Sequence, residues 1–80
     1  MDYDSNKVDE AVLALLFLTV HQDGEYGARS WKGHDWDALN RLHEKGFISD
    51  PVSKAKSVVL SPEGLAESRR LFETLFAKQE

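Results

Sequence analysis

Residues 11–20 read AVLALLFLTV, the one strongly apolar run of the chain, and it limits what the chain can become. A run this short cannot cross a bilayer, so other parts of the protein must cover it. On a helix, Val8, Val12, Leu15 and Thr19 form one stripe with Ala11 and Leu18 beside it, while Leu13, Phe17 and Val20 form a second. Two apolar faces ask for burial from two sides. Either the helix is central to the domain or one face meets another subunit. Asp4 can cap its first turn, Tyr3 and Val8 occupy the positions of a hydrophobic staple, and Asp9 and Glu10 suit the N-terminal end of the helix dipole. The predicted helix runs to about Val20.

What can cover that run is limited by the rest of the chain. Eighty residues make a single domain over 1–80, with a small core. Without cysteine there is neither a disulfide framework nor a thiolate zinc site. The start, Met-Asp-Tyr-Asp, lacks the basic residues of a signal peptide, and a cytoplasmic protein with no membrane partner is expected.

The remaining elements carry their own start and stop signals. Residues 21–34 are polar, hold Gly24, Gly27 and Gly33, and read as a long connection with room for a short strand or turn. Asp35 caps a second helix ending at Lys45, with Gly46 in the left-handed stop position; Trp36, Ala38, Leu39 and Leu42 form its inner side. Residues 47–49, FIS, read as a short strand, Asp50-Pro51 as a turn, VSKAK as a polar tip, and SVVL (57–60) as the returning strand. SPEG then starts a third helix: Ser61 caps, Pro62 takes the first helical position and Glu63 lies in the first turn. Leu65, Phe72 and Phe76 line up on it, flanked by Leu71 and Leu75, with Arg70 able to meet Glu67 or Glu73 on the other side. The expected class is α+β, winged-helix-like: three main helices and a short antiparallel two-stranded wing.

Helix, glycine, strand, turn, strand, capped helix is also the order at the end of winged-helix domains. LNRLHEKGFI (39–48) resembles the end of a recognition helix entering the wing. VVLSPEGLAESRRLF (58–72) resembles the returning strand and next helix of bacterial regulators of the multiple-antibiotic-resistance and phenolic-acid-repressor types. The whole chain resembles a family of small bacterial proteins known only as a domain of unknown function, through Lys7-Val8-Asp9-Glu10-Ala11, Trp31-Lys32, Asp35-Trp36, Gly46 and Ser53-Lys54-Ala55-Lys56. The first resemblance implies DNA binding and dimerisation through terminal helices; the second brings no function. One departure stands out: a helix-turn-helix needs a helix just before the recognition helix, and the stretch ending ARSWKGHD shows no helical apolar period.

Charge bears on the partner. Residues 1–28 carry six acids and one base, residues 29–60 six bases and four acids, residues 61–80 three bases and four acids, for a total of −4. A mildly basic middle on an acidic chain is a weak electrostatic footprint for nucleic acid. If residues 36–45 read DNA, Asn40 and Arg41 can meet bases, and Lys45, Lys54 and Lys56 phosphates, but Asp37 and Glu44 share that face. His21, His34 and His43 lack metal-ligand spacing, and His43, seven residues after Trp36, is expected to pack on that ring. No nucleophile, base and orienting group converge, and the glycines do not follow a phosphate-binding pattern, so neither catalysis nor a metal or other cofactor is expected. Trp36 is assigned to the core. Trp31 seals the core or, with Arg29 and Tyr26 nearby, anchors a protein partner. The expected function is a non-enzymatic interaction module, homodimeric, with interface candidates Leu13, Phe17, Val20 and Trp31; the alternative is a small DNA-binding regulator.

Overall fold

The computed structural model describes residues 1–22 and 27–78. Helix α1 spans Ser5–Leu18, followed by strands β1 (Val20–Gln22) and β2 (Ala28–Trp31), helix α2 (Trp36–Glu44), strand β3 (Ser57–Leu60) and helix α3 (Pro62–Phe76). The class is α+β, three helices with a small antiparallel sheet of order β1-β2-β3. All three helix starts fall where the capping residues place them. Asp4 Oδ1 accepts from the Asn6 amide at 2.9 Å, Asp35 Oδ2 from Ala38 at 3.1 Å, and Ser61 Oγ from Gly64 at 2.9 Å. Gly46 ends α2 with φ 80°, a conformation glycine adopts without steric cost. Tyr3 stays exposed while Val8 packs on the core.

The apolar run folds as a helix, but its two stripes are not used as expected. Asp9, Val12, Leu13, Ala14 and Leu16 form the buried side, so Leu13 is core, and the helix stops at Leu18, which is exposed. Leu16, assigned to neither stripe, is fully buried. Where the chain leaves α1, Ser30 Oγ donates to the Leu16 carbonyl at 2.7 Å. That uses its one hydrogen, so Thr19 Oγ1, also at 2.7 Å, donates to Ser30. A helix end that would leave carbonyls unsatisfied is thereby closed by the neighbouring strand.

The second correction concerns residues 21–34 and the wing. The expected connection carries β1 and β2, and the position a helix-turn-helix reserves for its supporting helix is taken by strand. β3 pairs along its length with β2, from Ala28↔Leu60 to Trp31↔Ser57. The expected strand at 47–49 is reduced to one bridge, Ile48↔Leu60, with the Ser49 amide donating to the Val59 carbonyl at 2.8 Å. The two-stranded wing is thus the edge of a three-stranded sheet whose inner residues, Ala28, Ser30, Val58 and Leu60, are buried.

The start of α3 is fixed against the end of α2. The Ser61 amide donates to the Phe47 carbonyl at 3.0 Å, and its hydroxyl to Gly46 O at 2.7 Å. A Cβ at Gly64 would stand 1.9 Å from the Phe47 carbonyl oxygen, so only glycine permits this approach.

Candidate interaction surfaces

Three surfaces emerge from this frame. The first lies along α1 and α3. Of the candidates assigned there from sequence, Leu13 is in the core and unavailable to a partner, and Val20, partly buried, packs against the core. Phe17 stands at the edge, its ring 5.6 Å from Phe72, which in turn is 5.6 Å from Phe76, both pairs tilted. Leu18 is 61% exposed, and Leu75 and Phe76 are each 48% exposed. Lys7, Glu10, Ala11, Leu75 and Phe76 line a groove of about 510 Å³ between the helices.

The second surface is the outward side of α2. Asp9 of α1 is 1% exposed, and Arg41 reaches it with Nε at 2.7 Å from Oδ2 and Nη2 at 2.8 Å from Oδ1. This two-pronged pair joins α1 to α2. Hydrogen bonding to Asp9 raises the Arg41 pKa further above its ordinary value. Lys45 Nζ lies 3.8 Å from the same carboxylate. Arg41 is therefore committed inside the protein, not displayed to a base edge, and Lys45 is drawn the same way. Asn40, Lys54 and Lys56 are exposed, as are Asp37 and Glu44.

The third surface is the solvent face of the sheet. Trp31 is 51% exposed; it does not seal the core. The imidazole of His21 stacks on it, centroids 4.4 Å apart and planes within 16°, and His21 Nδ1 lies 3.2 Å from the Thr19 carbonyl. Arg29 Nη1 donates to Ser57 Oγ at 3.0 Å. Tyr26, grouped with Trp31 from sequence, lies outside the described residues.

Trp36 corrects the sequence reading as well. It is 52% exposed, because the first helical position turns outward while Ala38, Leu39 and Leu42 face the core. Lys32 Nζ stands 5.8 Å from its ring centroid. That ammonium donates to Pro51 O at 2.7 Å, Ser53 O at 3.0 Å and Ser53 Oγ at 3.2 Å, tying the turn before β3 to the end of β2. From sequence Lys32 counts only as one of the bases of the mildly basic middle and as part of the Trp31-Lys32 pair; nothing in its spacing signals a lysine serving as the hydrogen-bond centre of a turn. His43 does not depend on Trp36: its Nδ1 is 3.0 Å from the Ile48 carbonyl. Partial burial lowers the His34 pKa below the usual histidine value. Among the described residues no group of three histidines or carboxylates is placed to hold a metal, and no helix is long and apolar enough to cross a membrane.

Residues 4–78 match the sequence profile of a family described as "Domain of unknown function (DUF6429)". A protein of Sinorhizobium fredii (strain NBRC 101917 / NGR234) with the name "Uncharacterized protein y4hR" is 51% identical over 78 residues, covering 98% of this chain and 100% of the relative. No solved structure matches significantly. The likeness to winged-helix regulators has no counterpart in these matches.

Proposed function

The chain belongs to this domain-of-unknown-function family, and we propose that it is a cytoplasmic, non-catalytic interaction module that works as a homodimer. The observation that carries this is the α1–α3 face, where Leu75 and Phe76 stand outside the core and line an apolar groove, with Leu18 exposed at the end of α1. Large side chains clustered on one exposed face mark a contact surface more often than chance exposure does. A second copy fits best. Lys7 and Glu10 border the same groove, so a two-fold axis lets each lysine meet the other subunit's glutamate, as an isologous contact requires. A pair of helices of this length offers a strip about 20 Å long. A standard interface of about 800 Å² per partner is roughly one seventh of the 5644 Å² surface.

A regulator that reads duplex DNA through α2 has less support. Its principal base-reading candidate, Arg41, is spent on Asp9, and a strand precedes α2 in place of a helix.

Sedimentation equilibrium tests the dimer. Wild type is expected to sediment as two chains, and Leu18→Asp with Phe76→Asp as one, with an unchanged helical circular dichroism spectrum. A wild type that stays monomeric at millimolar concentration would end the proposal.

A further inference from the structure

We propose that the solvent face of the sheet binds single-stranded nucleic acid, with the His21–Trp31 stack as a platform for a base and Arg29, Lys54 and Lys56 as phosphate ligands. The inner residues of β2 and β3 are buried. Strand alternation therefore sends Arg29 and Trp31, with their cross-strand neighbours Val59 and Ser57, to the other face. Trp31 keeps half its surface in water, yet its plane is set by the stacked imidazole. That imidazole is itself anchored. The Thr19 carbonyl can only accept, so His21 Nδ1 carries the hydrogen and Nε2 of the neutral ring is left as an acceptor. A flat aromatic surface fixed before binding reduces the ordering cost of association. It also offers what an unstacked base needs, since stacking on an aromatic ring is tolerant of sequence.

Four cations elsewhere in the chain are already committed: Arg41, Lys45, Arg69 and Arg70 each face a carboxylate. Among the described residues, Arg29, Lys54 and Lys56 form no such pair. Arg29 uses one N–H on Ser57, leaving the rest of its fork. The Lys56 carbonyl accepts from the Lys32 amide at 3.2 Å, one step along the ladder from the Trp31↔Ser57 pair, so the exposed Lys54 and Lys56 lie in the segment that leads into β3 at the Trp31 end of the sheet. An acidic peptide would meet the same cations but would have no use for a flat ring pair. A duplex keeps its bases stacked and offers Trp31 no base face. The net charge of −4 weakens long-range attraction, so stacking carries much of the affinity.

Fluorescence anisotropy of the full chain against labelled oligothymidylate, and against a duplex of equal length, is the test. Oligothymidylate is expected to bind in preference to duplex. Three phosphate contacts to a single strand imply affinity falling about twentyfold between roughly 50 and 200 mM salt. Trp31→Ala is expected to weaken binding about tenfold, Trp31→Phe to restore most of it, and Trp36→Ala to change nothing. In a Trp36→Phe chain Trp31 is the remaining tryptophan, so quenching of its fluorescence by oligothymidylate reads the platform without disturbing it. No binding at low salt, equal binding of duplex, an unquenched Trp31, or a Trp31→Ala chain that binds normally would each overturn the proposal. Displacement of the oligonucleotide by polyglutamate at equal charge would also overturn it and assign the cations to an acidic peptide.

Discussion

The α1–α2 seam and the solvent face of the sheet both invert what hydropathy asks for, in opposite directions. At the seam a carboxylate, Asp9, is almost wholly buried; on the sheet a tryptophan stands half in water. The first inversion is resolved within the chain, because Arg41 completes Asp9 with three hydrogen bonds. The second is only half resolved: His21 covers one side of Trp31 and nothing described covers the rest. An inversion with an internal partner is architecture, and one without points outward.

The largest expected effect lies at the seam. Arg41→Ala would leave a buried carboxylate with only Lys45 at 3.8 Å, whereas Asp9→Ala leaves an arginine that is 31% exposed and can turn to water. Both lower stability in urea titration, and Arg41→Ala lowers it more, since an uncompensated buried charge is the worse outcome. Asp9→Ala is expected to cost about 1–3 kcal/mol. Replacing both residues by leucine should regain most of the loss. If Asp9→Ala proves the more damaging, the pair holds the seam by geometry and not by charge satisfaction.

Both regions were partly legible in the sequence, and the unread parts have physical causes. Asp4, Asp35, Ser61 and Gly46 announced the helix ends because capping is a local matter of a few residues. Asp9 was read only as favourable to the helix dipole. Yet it lies at helical spacing with Val12, Leu13 and Leu16, and an acid on an apolar stripe signals a buried charge with a distant partner. Arg41, thirty-two residues away, carries no mark that chooses it over Lys45. Of β1 and β2 only room for a short strand or turn was read, because β pairing with a strand as late as Ser57–Leu60 is non-local, and short polar strands show little alternation. Trp36 was read as core and Trp31 as either a seal on the core or a partner anchor, because large aromatics are usually well buried; which side of a strand or helix start faces the core is a tertiary decision.

The sheet face should behave in the opposite way. Trp31→Ala is expected to change folding stability by less than about 1 kcal/mol, because its ring is stacked at the surface and outside the core cluster. Chemical denaturation followed by circular dichroism measures this. A loss comparable to that of Asp9→Ala would make the His21–Trp31 stack a structural fastening and erase the contrast.

The smallest effect concerns an intermediate case. Arg41 gains a partner and its pKa is raised; His34 is partly covered, and burial alone lowers its pKa below 6.5. In the folded chain the neutral ring is therefore favoured, and the unfolded chain takes up its proton first as the solution is acidified. Stability from this residue is complete above about pH 6.5 and declines as pH falls toward the folded pKa. His34→Gln removes the proton linkage, so the urea midpoint should drop less between about pH 7.5 and pH 5.5 in the variant than in wild type. The ring proton resonance of His34 should titrate below those of a free histidine. A midpoint difference of the opposite sign would mean that the protonated ring gains a carboxylate on folding, which would place His34 with Arg41 among the internally partnered charges.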